Sequence, residues 1–509
     1  MNRVTLIATA VIALGTASAA INDPVRLDTG LVSGATTSSS DVRAFKGIPF
    51  ATPPVGDLRW REPKPAAHWN GVRKADQFSP VCMQDTASRD PQRMSEDCLY
   101  LNVWTGAHSA RDKRPVMVWI YGGGYYRGSG SLPMYDGQAL AGKGAVVVTF
   151  NYRLGPFGFF SYPELTKESD RRGAANFGVM DALAALRWVQ RNIAAFGGDP
   201  KRVTIFGESA GSGMVANLMT VPQAKGLFER AIGESSAWAT TSVARLRTLA
   251  EEEEAGTKLA AGLGAHSLAD LRAKPAAALR TDGRGAAPVV DGWLIPEDPG
   301  KIFAEGKQIP VPVLAGSNRD ESFGGNTRTA AQFIERARSR FGDLADAFLR
   351  LYPATSDEEA RESAFAAGRD EMAFVMRNWA RLASASGKTK SYVYYFTQQP
   401  PVAPNARGPL TPSHGTATHI AEILYVFNHL DGSRAWTNAD RQVADTMSSY
   451  WVNFAATGDP NGQGLANWPA YDGEAATAMV FGNEPEGAQA PSEARLAFFQ
   501  SYFETLNAK

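Results

Sequence analysis

Cysteine is almost missing from this chain of 509 residues, which has two, Cys82 and Cys98. So few thiols exclude a disulfide-stapled mini-scaffold and a zinc site built on cysteine. Net charge is missing as well, since 52 basic side chains are balanced by 52 acidic ones. A chain without a field of either sign does not attract a polyanion, which argues against nucleic acid as a partner. There is no H-E-x-x-H or other metal-ligand cluster, no fixed-period repeat and no low-complexity linker. No apolar run reaches the roughly 20 residues that cross a bilayer, so stable membrane insertion is not expected. Asn-x-Ser/Thr acceptors are absent too, which fits a bacterial source. What is present is 44% hydrophobic and 10% aromatic residues, too apolar for disorder and sufficient for a large buried core.

Asn2 and Arg3 open onto an apolar run at 4–16 that ends in Ala17, Ser18, Ala19 and Ala20. Too short for a span and closed by small residues, it reads as a secretory signal peptide, residues 1–19, cut after Ala19 or one residue later. Export places the mature protein in the periplasm or outside the cell. In that oxidising environment Cys82 and Cys98 are expected to pair. Residues 20–509 run on without a break in composition and are expected to form a single domain.

Its N-terminal half alternates two periodicities. VMVWIY (116–121), AVVVTFNY (145–152) and RVTIFG (202–207) are short runs rich in β-branched and aromatic residues, whereas VMDALAALRWVQRNIAAF (179–196) repeats its apolar positions at helical spacing. Buried strands joined by helices predict an α/β fold with a mostly parallel sheet covered on both faces. The Ala- and charge-rich stretches 243–279 and 327–385 are predicted to be helical, without such strands, and to form a cap or side layer.

Chemistry concentrates around Ser209. A strand leads into Gly207-Glu208-Ser209-Ala210-Gly211, and a helical pattern follows. This G-x-S-x-G elbow puts a serine on a sharp turn at a helix N-terminus, with the hydroxyl exposed above the sheet. Serine needs a base. The six histidines are His68, His108, His266, His414, His419 and His429. Enzymes with this elbow follow the chain order Ser, acid, His, which disfavours the first two, and His266 lies in an Ala-rich helical stretch. Spacing does not separate His414 from His419. An oxyanion needs preplaced donors. Gly122-Gly123-Gly124 follows the strand at 116–121, and the N–H groups of Gly123, Gly124 and Ala210 would make a three-donor hole.

The segments FKGIPFATPPVGDLRW (45–60), EDCLYLNVW (96–104), YGGGYYRGS (121–129), NYRLGPFGF (151–159) and NIAAFGGDPKRVTIFGESAGS (192–212) complete the pattern. In content and order they resemble signatures of the type-B carboxylesterases, the α/β-hydrolase family that also contains the cholinesterases. The resemblance implies an α/β-hydrolase fold, a small-molecule carboxylic ester as substrate, an acyl-enzyme intermediate, and no metal or organic cofactor. It also implies a Cys82–Cys98 bridge. In PVLAGSNRDES (312–322) it assigns the acid to Glu321, with Asp320 as the alternative and Ser322 where the family usually has glycine. Its H-x-x-E frame before an aromatic-Val-Phe run selects His419, with Glu422 and Tyr425-Val426-Phe427, over His414. Ser235 in AIGESSAW resembles a serine that helps hold the acid, although the family's S-G-S is S-S-A here. Glu208, beside the nucleophile, is a further supporting candidate.

Substrate class is less legible. The cholinesterases place a tryptophan between the first paired cysteines to face a quaternary ammonium, and the loop 83–97 has no aromatic residue, so a choline ester is not expected. Arg127 follows the oxyanion glycines and either meets a carboxylate on the acyl group or is a solvent-facing or structurally paired arginine. Tyr125, Tyr126 and Trp238 either line an acyl pocket or pack in the core. The expected substrate carries a medium-sized acyl group, aromatic or polycarboxylic. An interfacial lipase, an acyltransferase and a noncatalytic binding domain are the competing readings, the last disfavoured because Ser209, Glu321 and His419 are all present.

Overall fold

A computed structural model of the chain describes residues 21, 23–84, 93–169, 175–236, 246–280, 287–321, 327–402, 416–432, 434–473, 478–482 and 491–507. The leader at 1–20, Trp238, Ser322 and His414 lie outside the described residues. A ten-stranded sheet runs through the centre: β1 (Ala35–Thr36), β2 (Arg43–Pro49), β3 (Tyr100–Thr105), β4 (Arg114–Ile120), β5 (Val146–Phe150), β6 (Gly198–Glu208), β7 (Arg230–Glu234), β8 (Val313–Asn318), β9 (Ser391–Phe396) and β10 (Met479–Phe481). Their spatial order is β10-β9-β8-β7-β6-β4-β5-β3-β2-β1. Neighbours from β10 to β5 are parallel, and β3, β2 and β1 add an antiparallel edge.

The parallel part follows from composition. All five residues of β5 (VVVTF) are buried, as are all those of β4 after Arg114, the continuous apolar pattern of strands covered on both faces. The strand expected at 202–207 starts earlier, at Gly198, because Gly198 pairs with Arg114 before the register shifts at Val203.

Helices cover both faces: α1 (Phe177–Asn192), α2 (Ala210–Leu218), α3 (Leu249–Gly262), α4 (Ala330–Phe341), α5 (Asp357–Ser384), α6 (Asn438–Thr457) and α7 (Glu493–Asn507). The helix expected at 179–196 is α1, which ends at Asn192 and tightens into a 3-10 turn over Ile193–Phe196. A capping box between Thr248 and Glu251 starts α3. Just before it lies a two-residue strand, Arg247–Thr248, paired with Val289–Val290, so the purely helical expectation for 243–279 is corrected at its start. The 327–385 stretch is helical as expected, and α5 packs as a side layer on β8 and β9. Among the described residues no helix is long and apolar enough to cross a membrane. Cys82 and Cys98 form a disulfide.

The strand order decides where a ligand can sit. From β4 the chain goes to β5 on one side, and β6 returns on the other, so a topological switch point opens above the carboxyl ends of β4 and β6. Gly122–Gly124 leave β4 there and Ser209 leaves β6. A short helix, Ile423–Val426, follows His419, and Phe427 at its end packs on Trp119 of β4 at 5.1 Å and Phe206 of β6 at 5.7 Å between ring centres. Each such pair contributes about 0.5–1.5 kcal/mol beyond its buried area, which anchors the histidine segment to the strands that carry the serine and the glycines.

Candidate active site

Ser209 occupies the β6–α2 junction with φ 54° and ψ −127°, a conformation that an L-residue holds only under constraint from its surroundings. The constraint is the close approach of β4. A Cβ on Gly211 would stand 1.9 Å from the Ile120 carbonyl oxygen and one on Gly207 2.5 Å from it, so the elbow closes only with glycine at both places. The Ser209 N–H donates to the Glu234 carbonyl at 2.8 Å, which ties the turn to β7. The side chain points to the switch point, partly open to solvent.

There the structure brings three predicted residues together. His419 Nε2 lies 2.8 Å from Ser209 Oγ, and His419 Nδ1 lies 2.7 Å from Glu321 Oε2. The other Glu321 oxygen accepts the Asn318 N–H at 3.2 Å, and the carboxyl group is fully buried. The Asn318 amide donates to the Thr418 and His419 carbonyls at 2.7 and 3.2 Å and to the Glu422 carboxyl group, fastening the histidine loop to the end of β8. The arrangement can pass a proton from the hydroxyl to the imidazole and hold the resulting cation against a carboxylate.

Asp320, the alternative acid, is turned elsewhere. It pairs with Arg319, accepts the Ala417 N–H at 2.8 Å, and so braces the histidine loop from below. Ser235 Oγ is buried with no hydrogen-bond partner among the described residues, and Glu321 is held by Asn318 instead.

Glu208 comes closer to the chemistry than its sequence position implied. Its Oε1 lies 3.2 Å from His419 Nε2, on the side that faces Ser209. Glu234 and Glu422 extend this into a buried acidic group beneath the site, with Trp451 Nε1 donating to Glu234 at 2.8 Å. Burial pushes the Glu208 carboxyl group up to about 8 against the pull of His419, and burial raises Glu234 to about 8 against its Trp451 hydrogen bond. Glu422 is held well above the usual carboxylate range by burial and by Glu208 and Glu234. Burial alone would lower the His419 imidazole, but Glu321 and Glu208 outweigh it and raise the group to about 9. Asn318, Glu234 and Trp451 were not found by sequence reasoning. Glu422 was seen only as part of the H-x-x-E frame.

Beyond β4, Gly123 and Gly124 take φ 97° and 64°, the left-handed region that glycine enters freely. Among the described residues no acceptor takes the N–H of Gly123, Gly124 or Ala210, and the last belongs to the open first turn of α2. Three main-chain donors, two on the loop after β4 and one at the start of α2, are thus without an acceptor among the described residues. Tyr125 packs its ring on Phe159 at 5.1 Å and its hydroxyl against α2 at Gly213, so it is structural in large part. Arg127 is exposed, with its guanidinium 5.4 Å from the centre of the Tyr126 ring. Among the described residues no group of three or more His, Cys, Asp or Glu side chains could hold a metal ion.

The sequence pattern of the Carboxylesterase family matches residues 22–499. Fumonisin B1 esterase of Sphingopyxis macrogoltabida is 39% identical over 476 residues, covering 87% of this chain and 84% of that protein. Para-nitrobenzyl esterase of Bacillus subtilis (strain 168) is 35% identical over 501 residues, covering 91% and 96%. A solved PNB esterase structure superposes with a TM-score of 0.75 at 34% identity, covering 88% of this chain and 93% of that one.

Proposed function

Because this chain belongs to the carboxylesterase family, and is therefore a carboxylic ester hydrolase of the α/β-hydrolase fold, we propose that it cleaves its substrate with Ser209 as nucleophile, His419 as base and then acid, and Glu321 as the carboxylate that orients the imidazole. The unbroken line of contacts, 2.8 Å from Oγ to Nε2 and 2.7 Å from Nδ1 to Oε2, carries this reading. Ser209 Oγ bonds to the ester carbonyl carbon as its proton passes to Nε2. The oxyanion accepts the N–H groups of Gly123, Gly124 and Ala210. The C–O bond then breaks, and the alcohol leaves with the proton from Nε2. A water molecule, deprotonated in turn by His419, releases the carboxylic acid and restores the serine.

The pH dependence follows from the imidazole. His419 must be neutral to act as a base, and Glu321, joined by Glu208 once that group ionises near 8, holds its proton on up to about 9. The rise in kcat/KM is therefore expected to extend into the alkaline range, with its midpoint near 9. Glu208→Gln removes one of the two charges and is expected to move the midpoint to lower pH. A pH profile of both forms checks this, and an unmoved midpoint contradicts it.

For the substrate, we propose a carboxylic ester with a medium-sized acyl group, aromatic or polycarboxylic. Arg127 supports the anionic case, since it is exposed beside the oxyanion glycines and has no carboxylate partner among the described residues. Arg127→Ala is expected to lower the ratio of kcat/KM for an anionic ester to that for a neutral ester of equal length about tenfold, the size of a charged hydrogen bond. A panel of aliphatic, aromatic and anionic nitrophenyl esters measures it, and activity confined to long-chain lipids contradicts the proposal. We also place the mature enzyme outside the cytoplasm as a single domain beginning at residue 20 or 21. The apolar leader supports this, as does a disulfide that needs an oxidising compartment.

A further inference from the structure

Sequence reasoning assigned nothing to Gln84, two residues past the disulfide cysteine Cys82. The residue is 3% exposed, and its side chain makes three hydrogen bonds. Oε1 accepts the N–H of Gly128 at 2.9 Å, and Nε2 donates to the carbonyl of that same Gly128 at 3.1 Å. Nε2 also donates to the Cys82 carbonyl at 3.1 Å. The main-chain carbonyl of Gln84 accepts from Arg280 Nε at 3.0 Å.

Gly128 closes the loop that carries the oxyanion glycines. A Cβ on it would stand 3.0 Å from the Gly122 carbonyl oxygen, so the two ends of the loop lie against each other. Inside the loop the Gly123 carbonyl accepts the N–H groups of Tyr126 at 3.3 Å and Arg127 at 3.2 Å. The closing residue is thus gripped through both its donor and its acceptor by one amide, and that amide is rooted next to a disulfide. Downstream, the Gly130 N–H is held separately by Asn151 at 2.9 Å. Among the described residues the glycine loop itself is held at two points, by Gln84 at Gly128 and by the Gly155 N–H, which donates to the Tyr125 carbonyl at 2.8 Å; Gln84 is the side chain that grips its closing end.

We propose that Gln84 is a positioning residue for the oxyanion donors: its two-pronged contact with Gly128, braced by the Cys82–Cys98 bridge, holds the Gly123 and Gly124 N–H groups where the developing oxyanion needs them. The proposal rests on the oxyanion role given to those amides above. A buried side-chain amide with all its bonds made is costly to leave unpaired, and a displacement of about 1 Å in a catalytic group can cost about a hundredfold in rate.

The test compares a matched pair of substrates, an oxo ester and its thiono analogue, in which the carbonyl oxygen is replaced by sulfur, a poor hydrogen-bond acceptor. Wild type is expected to prefer the oxo ester strongly. Gln84→Ala is expected to lower kcat on the oxo ester about 10- to 100-fold with KM nearly constant. The thiono ester is expected to suffer much less, so the preference collapses, whereas the fall in melting temperature from the lost hydrogen bonds is the same whichever ester is assayed. Should the alanine variant not fold, Gln84→Glu keeps the volume and the acceptor but loses the donor, and is expected to shift the preference the same way by a smaller factor. Equal losses on both esters, or no loss on either, overturn the clamp. A wild type that shows no oxo preference overturns the oxyanion reading and the clamp with it.

Discussion

Ser209→Ala is expected to lower kcat by about a millionfold while leaving the melting temperature near that of the wild type, because residues that act as one relay lose nearly all their effect when one is removed. Three features make the expected loss this large. The hydroxyl stands 2.8 Å from the only histidine the structure brings to it among the described residues. It is presented by a turn that only Gly207 and Gly211 permit, so no neighbouring hydroxyl can take its place. Ser212, the next serine along α2, is buried and donates to the Ser236 carbonyl. His419→Ala is expected to cost a similar factor, and the double variant little more than either alone. Steady-state rates on a nitrophenyl ester, with calorimetric melts as a control, measure all three. Additive losses would mean that serine and histidine work independently.

Glu321→Gln is expected to cost about ten-thousandfold in kcat through the tautomer. The carboxylate accepts from Nδ1–H and so leaves Nε2 free to take the serine proton. A glutamine in the same place can keep its oxygen on the Asn318 N–H and turn its NH2 toward Nδ1. The imidazole proton then sits on Nε2, where it blocks proton transfer. Asp320→Asn is the matching control. It disturbs the Arg319 and Ala417 contacts below the histidine loop, not the imidazole, and its loss is expected to be far smaller. If the two variants lost activity equally, the acid would not be Glu321.

The elbow was legible in the sequence because its requirement is local: a serine forced to φ 54° between two glycines leaves its mark within five residues. The strands at 116–121 and 145–152 were legible because burial on both faces demands unbroken apolar runs. The histidine was not, since His414 and His419 share the same stretch and what favours one is contact with Ser209, 210 positions away. The packing of Phe427 on Trp119 and Phe206 brings that contact about, and resemblance to a family stood in for it. The acidic group was hidden for the same reason. Glu208, Glu234 and Glu422 come from β6, β7 and the histidine loop, and nothing in their separate segments reveals that they meet in the interior. The Gln84 clamp also joins distant segments, a disulfide loop and a glycine turn 44 positions apart.

The relay at Ser209 is tested most directly by peptide mapping after reaction with a nitrophenyl phosphonate, whose stalled adduct marks the attacking atom. One phosphonyl group per chain is expected, on Ser209, with one nitrophenolate released, and labelling slowed several orders of magnitude in His419→Ala. A label on any other residue, or labelling undiminished in Ser209→Ala, would contradict it.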